Sequence, residues 1–418
     1  MRIAIVTPDD LSTLTFCKPF ALRLAGHPSV TVYSFSSVDL YRAEITALPT
    51  IHVEIPMARF LSLAEDWSYF WRLRRIFAEN RIDVAILFTT KPNIYGALAA
   101  RAAGVKTVAI AVRGLGSAFL ADSRPKARLL KAITTTLYRA ACTAANWVWF
   151  TNRNDREYFI SRKIVPQPKT FLTSNAVNLT DFSVESVAPK AVAALRQELA
   201  MAEDDRAVIM VARLIWPKGI REFAEAARLL RERLPNLTFL LVAPEEKGSP
   251  NSVPPDYVRE MERVANFRWL GFRKDVRELY ALAGLAVLPS YYKEGGYPRA
   301  LLEPMALGKP VIAADTEDCR APVEDGVNGY VIPPKDAAAL ADRIARIMED
   351  DELRKSFGQQ SLAIVRARFD DRVVAEEVLE RLGIRGAVDA AAAEDPTASG
   401  PTVHAANAAY PMGPGHRP

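Results

Sequence analysis

The chain has 418 residues, half of them hydrophobic and a quarter charged, with a formal net charge of +5. That length calls for two domains rather than one core, and the composition excludes a disordered or collagen-like chain. Three scattered cysteines, Cys17, Cys142 and Cys319, form no CxxC pair, which argues against a disulfide framework or zinc site.

Candidate strands of the first half are Arg2–Thr7, Val30–Phe35, Ile51–Ile55, Val84–Thr89, Thr107–Val112, Val148–Thr151 and Thr170–Ser174. Most are continuous apolar runs, as expected of parallel strands covered on both faces. Helical patterns lie between them at Ala64–Glu79, Ile94–Ala103 and Arg124–Ala145. Met1–Pro8 enters the first strand with no secretory h-region, and no run of about 18 apolar residues is present. A cytoplasmic setting is expected. After a looser segment, 178–189, strands recur at Ala207–Leu214, Leu237–Val242, Phe267–Leu270, Leu285–Pro289, Pro310–Ala314 and Tyr330–Ile332. Helices Ile220–Leu234, Asp275–Ala283 and Ala337–Met348 separate them, and one amphipathic stretch, Arg354–Leu382, follows.

This alternation predicts an α/β fold of two doubly wound parallel-sheet domains facing across a cleft. The expected boundaries are 1–185, 186–353, C-terminal helices over 354–385 packing back towards the first domain, and a disordered tail over 386–418. Residues 1–185 hold 23 Lys/Arg against 14 Asp/Glu, so the first half is basic. An anionic ligand or surface is expected there. Nucleic acid is not, because the basic residues are not interleaved as a stacking platform or reading helix.

The most informative segment is EGGYPRALLE, 294–303. Glu294 and Glu303 bracket a Gly-Gly turn that leads from a strand into a helix, with Pro298 suited to its first turn. Glycines permit close backbone approach to a ligand, and a helix start attracts anions. Taken alone, the same segment also reads as an ordinary α/β loop followed by a solvated helix face. The second segment is VIMVARLIWPKG, 208–219, in which a strand ends in Arg213 and a loop carries Lys218-Gly219 into a helix. Two cations beside a helix N-terminus suit a diphosphate, although the segment taken alone reads equally as a solvated Lys218 and an Arg213 capping a surface carboxylate.

Together Arg213, Lys218, Glu294 and Glu303 resemble glycosyltransferase family 4, retaining enzymes of the GT-B fold. The resemblance covers about residues 1–382 and extends to WLGFRKDV (269–276), ALGKPVIAAD (306–315) and DGVNGYVIPP (325–334). In the first half KPNIYGALAARAAGV (91–105), RGLG (113–116) and FTNRNDREYF (150–159) look like bacterial members that extend lipid-linked polysaccharides. It implies that Arg213 and Lys218 hold a diphosphate, that Glu294 contacts the transferred sugar and that Glu303 bonds the ribose. It assigns further donor contacts to Phe272, Arg273, Gly295, Gly296 and Leu302. Arg113, Gly114 and Lys91 fall on the acceptor side. The implied partners are a nucleotide sugar, most often UDP-linked, and a glycan acceptor on polyprenyl diphosphate at the inner face of the plasma membrane. No Asp-x-Asp is present in the donor segments to hold a metal, so neither a metal nor a further cofactor is expected.

Two departures stand out. Eight residues separate the glutamates where the family usually has seven, and Cys319-Arg320-Ala321 replaces a common Cys-Arg-Glu. A histidine some relatives place near the sugar has no counterpart, since His27, His52, His404 and His416 lie outside these motifs. Two basic or aromatic stretches suggest contact with anionic membrane: Arg124, Lys126, Arg128 and Lys131, and WSYFWRLRRIF (67–77). Aromatic residues at helical spacing, as in the latter, more often form a helix core face. Competing functions are a nicotinamide-dependent oxidoreductase, disfavoured because Thr7-Pro8-Asp9-Asp10 replaces a glycine-rich turn, a non-catalytic two-lobed sugar-binding protein, and a nucleotide-sugar epimerase of the same fold.

Overall fold

The computed structural model describes residues 1–57, 62–115, 119, 125–246 and 248–384. Seven strands form the front sheet: β1 (Arg2–Val6), β2 (Thr31–Ser36), β3 (Ile51–Glu54), β4 (Val84–Phe88), β5 (Thr107–Val112), β6 (Trp147–Phe150) and β7 (Thr170–Leu172). Their order is β3-β2-β1-β4-β5-β6-β7, with Ile3 opposite Val32 on one side and Val84 on the other. The rear sheet comprises β8 (Arg206–Val211), β9 (Leu237–Val242), β10 (Phe267–Gly271), β11 (Leu285–Leu288), β12 (Val311–Ala314) and β13 (Gly329–Ile332), in the order β10-β9-β8-β11-β12-β13. The pairings within both sheets are parallel.

The apolar runs become central strands for a simple reason. Parallel strands need crossover helices on both faces, so both sets of side chains are buried. β4 and β11 are buried at every residue. The predicted strand 207–214 stops three residues early, at Val211. Leu214 and Ile215 are also buried, but they lie in a tight turn where the Ile215 N–H donates to the Arg213 carbonyl. An apolar run does not distinguish a strand from a buried loop.

The stretch 354–382 is two helices, Asp351–Arg368 and Asp371–Arg381, rather than one. Phe369 is buried with its ring against Tyr297, and Asp370 caps the second helix by accepting the Arg372 N–H. The amphipathic period runs through the break because the two helices bury their apolar sides in different lobes. Phe357 and Val365 join the rear core, whereas Val374, Ala375, Val378 and Leu379 join one face of the front sheet. At the crossover, the Val177 N–H donates to Phe369 O and the Asp371 N–H donates to Val177 O.

Burial pushes the Asp371 carboxyl up to about 6 from its ordinary 3.8, and Asp370 and Asp181 add to the rise. The fold therefore favours the protonated form, and stability grows as pH falls from above 6 towards 4. Asp371→Asn should accordingly raise the melting temperature at pH 7–8, with the gain shrinking to nothing near pH 4. Melting curves across that range would test it, and a pH-independent difference would refute it.

Among the described residues no helix is long and apolar enough to cross a membrane. Cys17, Cys142 and Cys319 are buried free thiols.

Candidate active site

In the rear sheet the strand order reverses between β8 and β11, and the loops leaving their carboxyl ends meet at that crevice. The β8 loop holds Arg213 and Lys218, and the β11 loop holds Ser290 to Gly296. Gly219 brings the two together. Its φ is 85°, and a Cβ there would stand 2.4 Å from the Pro289 carbonyl oxygen, so only glycine fits. Lys218 Nζ consequently reaches Glu294 Oε2 at 2.5 Å, both side chains being almost wholly enclosed. Ser290 Oγ donates to Glu294 Oε1 at 2.6 Å, so both carboxylate oxygens are fixed. The Tyr292 ring lies under both cations, 5.1 Å from the Arg213 guanidinium carbon and 5.3 Å from Lys218 Nζ. Arg213 itself is exposed. The result is a pair of cations on an aromatic ring, next to a carboxylate held in one orientation.

The Gly-Gly turn lies against the front lobe. Gly295 and Gly296 adopt φ of 78° and 128°. A Cβ on Gly295 would stand 2.5 Å from Gly114 Cα, so the two backbones touch across the lobes. Thr151 Oγ1 donates to the Gly295 carbonyl at 2.9 Å, and Asn175 Nδ2 donates to Tyr297 O at 2.8 Å. Lys293 Nζ lies 3.0 Å from Asp155 Oδ1, a carboxylate buried in the front lobe. The Gly295 N–H donates to Asp318 Oδ2 at 2.9 Å. Burial raises the Asp318 carboxyl above its ordinary range, and the Gly295 N–H opposes that rise. This amide, expected to be free for a phosphate, is thus already occupied.

The remaining predicted residues divide. Glu303 lies in the helix Arg299–Ala306 and pairs with Arg299 at 2.8 Å. Pro298 precedes that helix as its N-cap instead of entering its first turn. Leu302 is fully buried in the rear core and its N–H donates to Pro298 O, so it anchors the helix and offers nothing to a ligand. Arg273 is taken up by Glu198 and Asp275, each at 2.6 Å, whereas Phe272 beside it is exposed. Lys91 is drawn to Asp66 at 2.5 Å, and Tyr95 donates to the same carboxylate, so that lysine is held on the helix Leu63–Glu79. Arg113 and Gly114 lie at the seam itself, while Gly116 falls outside the described residues. Sequence reading missed Ser290, Tyr292, Asp318, Thr151 and Asn175. Only the Tyr292 position, two residues before Glu294 in one loop, carried a local signal.

Among the described residues no group of three His, Cys, Asp or Glu is arranged to hold a metal ion. Two facing doubly wound domains with this crevice define the class: a GT-B protein. Residues 192–363 match the family described as glycosyl transferases group 1, and residues 21–176 match the glycosyl transferase 4-like domain. The chain is 28% identical to an N,N'-diacetylbacillosaminyl-diphospho-undecaprenol α-1,3-N-acetylgalactosaminyltransferase of Campylobacter jejuni, over 74% of this chain and 79% of that protein. It is 27% identical to a UDP-Gal:α-D-GlcNAc-diphosphoundecaprenol α-1,3-galactosyltransferase of Escherichia coli, over 71% of this chain and 74% of that one. Among solved structures, Anabaena HepE in complex with UDP and glucose superposes with a TM-score of 0.72 at 22% identity, covering 92% of this chain and 99% of that one. A UDP-N-acetylglucosamine 2-epimerase from Listeria monocytogenes, itself so described only provisionally, shares the fold at a TM-score of 0.64 and 14% identity, over 96% and 99% of the two chains. The chain belongs to the family 4-like glycosyltransferases, and it is a glycosyltransferase.

Proposed function

We propose that the protein is a retaining, metal-independent transferase that moves a hexose or N-acetylhexosamine from a UDP-sugar to a glycan on polyprenyl diphosphate, in surface polysaccharide synthesis. The observation that carries this reading is the Lys218–Glu294 pair, with Arg213 beside it on Tyr292, at the rear switch point. The relatives named above act on undecaprenyl-diphosphate sugars, which supports the acceptor class.

In this reading Arg213 and Lys218 receive the donor diphosphate, and Glu294, oriented by Ser290, holds the sugar hydroxyls. The bond between C1 and the β-phosphate oxygen breaks with its electrons on the leaving diphosphate. The acceptor oxygen bonds to C1 on the same face, and its proton passes to the departing phosphate oxygen. Two cations aimed at the leaving group stabilise the charge that develops there. Arg213→Ala should lower turnover by about 10²-fold or more, whereas near-wild-type turnover would remove Arg213 from the mechanism.

A thermal-shift screen of nucleotide sugars tests the donor. A ligand at 100 times its Kd adds about 2.7 kcal/mol of stability, a shift easily read. Stabilisation by no UDP or GDP sugar would overturn the reading. Product analysis with and without a lipid-linked acceptor separates transfer from epimerisation, since an epimerase alters the sugar nucleotide with no acceptor present.

Membrane contact belongs to the same proposal. In the helix Leu63–Glu79 the apolar residues split between two faces: Tyr69, Leu73 and Phe77 are buried, whereas Trp67 and Trp71 are 64% and 45% exposed. Arg74 lies over Trp71 at 5.3 Å, the mix of ring and cation found in interfacial helices. Arg128 is exposed, but Lys131 turns inward onto Tyr158, and Arg124 and the Lys126 side chain fall outside the described residues. The double variant Trp67→Ala/Trp71→Ala should lose most flotation with anionic vesicles while its melting temperature changes little. Flotation equal to wild type would refute the docking role.

A further inference from the structure

Arg113 differs from the other cations near the lobe seam. Lys218 has Glu294, Lys91 has Asp66 and Arg299 has Glu303. Among the described residues Arg113 has no carboxylate within ion-pair distance. Its Nη2 donates to the side-chain oxygen of Asn175 at 2.7 Å, and its guanidinium lies over the Phe16 ring at 4.3 Å. Burial lowers its pKa to about 9, and a second cation, Arg299, adds to that effect. A guanidinium shielded from water beside a second cation is less favourable than one with an anion between the two.

Arg299 supplies the other half. Its Nη1 donates to Thr15 Oγ1 at 2.7 Å, Nη2 pairs with Glu303, and Nε is enclosed without a hydrogen-bond partner. Arg299 also opens the helix Arg299–Ala306, whose positive end adds to the local field. Asp371 also lies near Arg299, and because burial lifts its carboxyl to about 6 it gives up this negative charge just below neutral pH. Both arginines border the reacting end of the cleft. The Arg113 carbonyl oxygen is 3.1 Å from where a Cβ on Gly295 would stand, and Arg299 follows Gly296 by three residues.

We propose that Arg113 and Arg299 form a second oxyanion site, separate from the Arg213/Lys218 clamp, for a phosphate or carboxylate carried by a substrate at the lobe seam. The inference rests on the donor reading above, because it needs the clamp to be filled by the nucleotide. Two sources share the chemistry: the phosphate of a lipid-linked acceptor and the carboxylate of an acidic sugar.

The full chain, saturated with UDP so that the clamp is occupied, is titrated calorimetrically with inorganic pyrophosphate and, separately, with glucuronate. Wild type should bind at least one. Arg113→Gln and Arg299→Gln should each weaken that binding by about tenfold or more. Arg113→Lys, which keeps the charge but not the fork, should fall between, and melting curves show that each variant is folded. Binding of pyrophosphate alone supports the site and assigns it to an acceptor phosphate, and binding of glucuronate alone supports it and assigns it to an acidic sugar. Binding of neither with UDP in place, or equal binding by both Gln variants, overturns the site alone. If UDP itself does not bind, the donor reading falls and this inference with it.

Discussion

Lys218→Met should reduce turnover by about 10²–10³-fold, the scale on which single charge-stabilising groups act in transition states. The lysine touches two things at once in this fold, the Glu294 carboxylate at 2.5 Å and the face of Tyr292. Its loss therefore has a structural cost as well as a chemical one. Breaking an enclosed ion pair from one side costs about 3–5 kcal/mol, because the remaining charge is left uncompensated. The double variant Lys218→Met/Glu294→Gln separates the two effects. It should recover much of the lost stability, because no uncompensated charge remains, yet stay as inactive as the single variant. Initial rates with a UDP-sugar, measured beside melting curves, provide the check. A single variant within about threefold of wild-type turnover would show that Lys218 does not stabilise the leaving group.

Gly295→Ala should be nearly as damaging by a different route. A left-handed residue with a Cβ costs about 1–2 kcal/mol by itself. Here the new methyl would also lie 2.5 Å from Gly114 Cα and 3.0 Å from its nitrogen, both backbone atoms of the other lobe. Backbone cannot swing aside as a side chain can, so the lobes must part. The expected outcome is a folded protein with a modestly lower melting temperature, a larger radius of gyration in small-angle scattering and turnover lower by about 10²-fold, as misplacing the reacting groups by an ångström can do. A methyl on Gly114 meets nothing closer than 3.6 Å, so that position is bounded by its φ of 117° and not by space. An alanine variant of Gly295 with wild-type scattering and activity would show that this contact is dispensable.

The fold was largely legible from sequence because parallel strands buried on both faces read as unbroken apolar runs. β4, β5 and β11 are clear cases. The positions of Arg213, Lys218 and Glu294 were legible because strand ends and a Gly-Gly turn mark the edge of a sheet. The partners were not. Tyr292 under two cations, Ser290 on Glu294 and Asp318 on the Gly295 amide are contacts between loops. No periodicity reports such contacts. Lys91 looked like an acceptor cation, but the carboxylate that holds it, Asp66, is 25 residues earlier on another helix. Leu302 lay one residue from Glu303 in the motif, yet one residue along a helix is a turn of about 100°, enough to move it from cleft to core. The break at Phe369–Asp370 escaped notice because each helix keeps the same apolar period while facing a different lobe.

The crossover where Val177 bonds to Phe369 and Asp371 has a mechanical meaning. The chain passes from front to rear there and returns there, so both connections run through a single stitched pivot. The two backbone hydrogen bonds there hold the outgoing and returning segments in register with one another. Tyr297, in the loop that carries Glu294 and the Gly-Gly turn, rests its ring on Phe369 at that crossing, 5.5 Å between centroids. The loop that carries Glu294 is thereby packed directly onto the place where the chain crosses between the lobes.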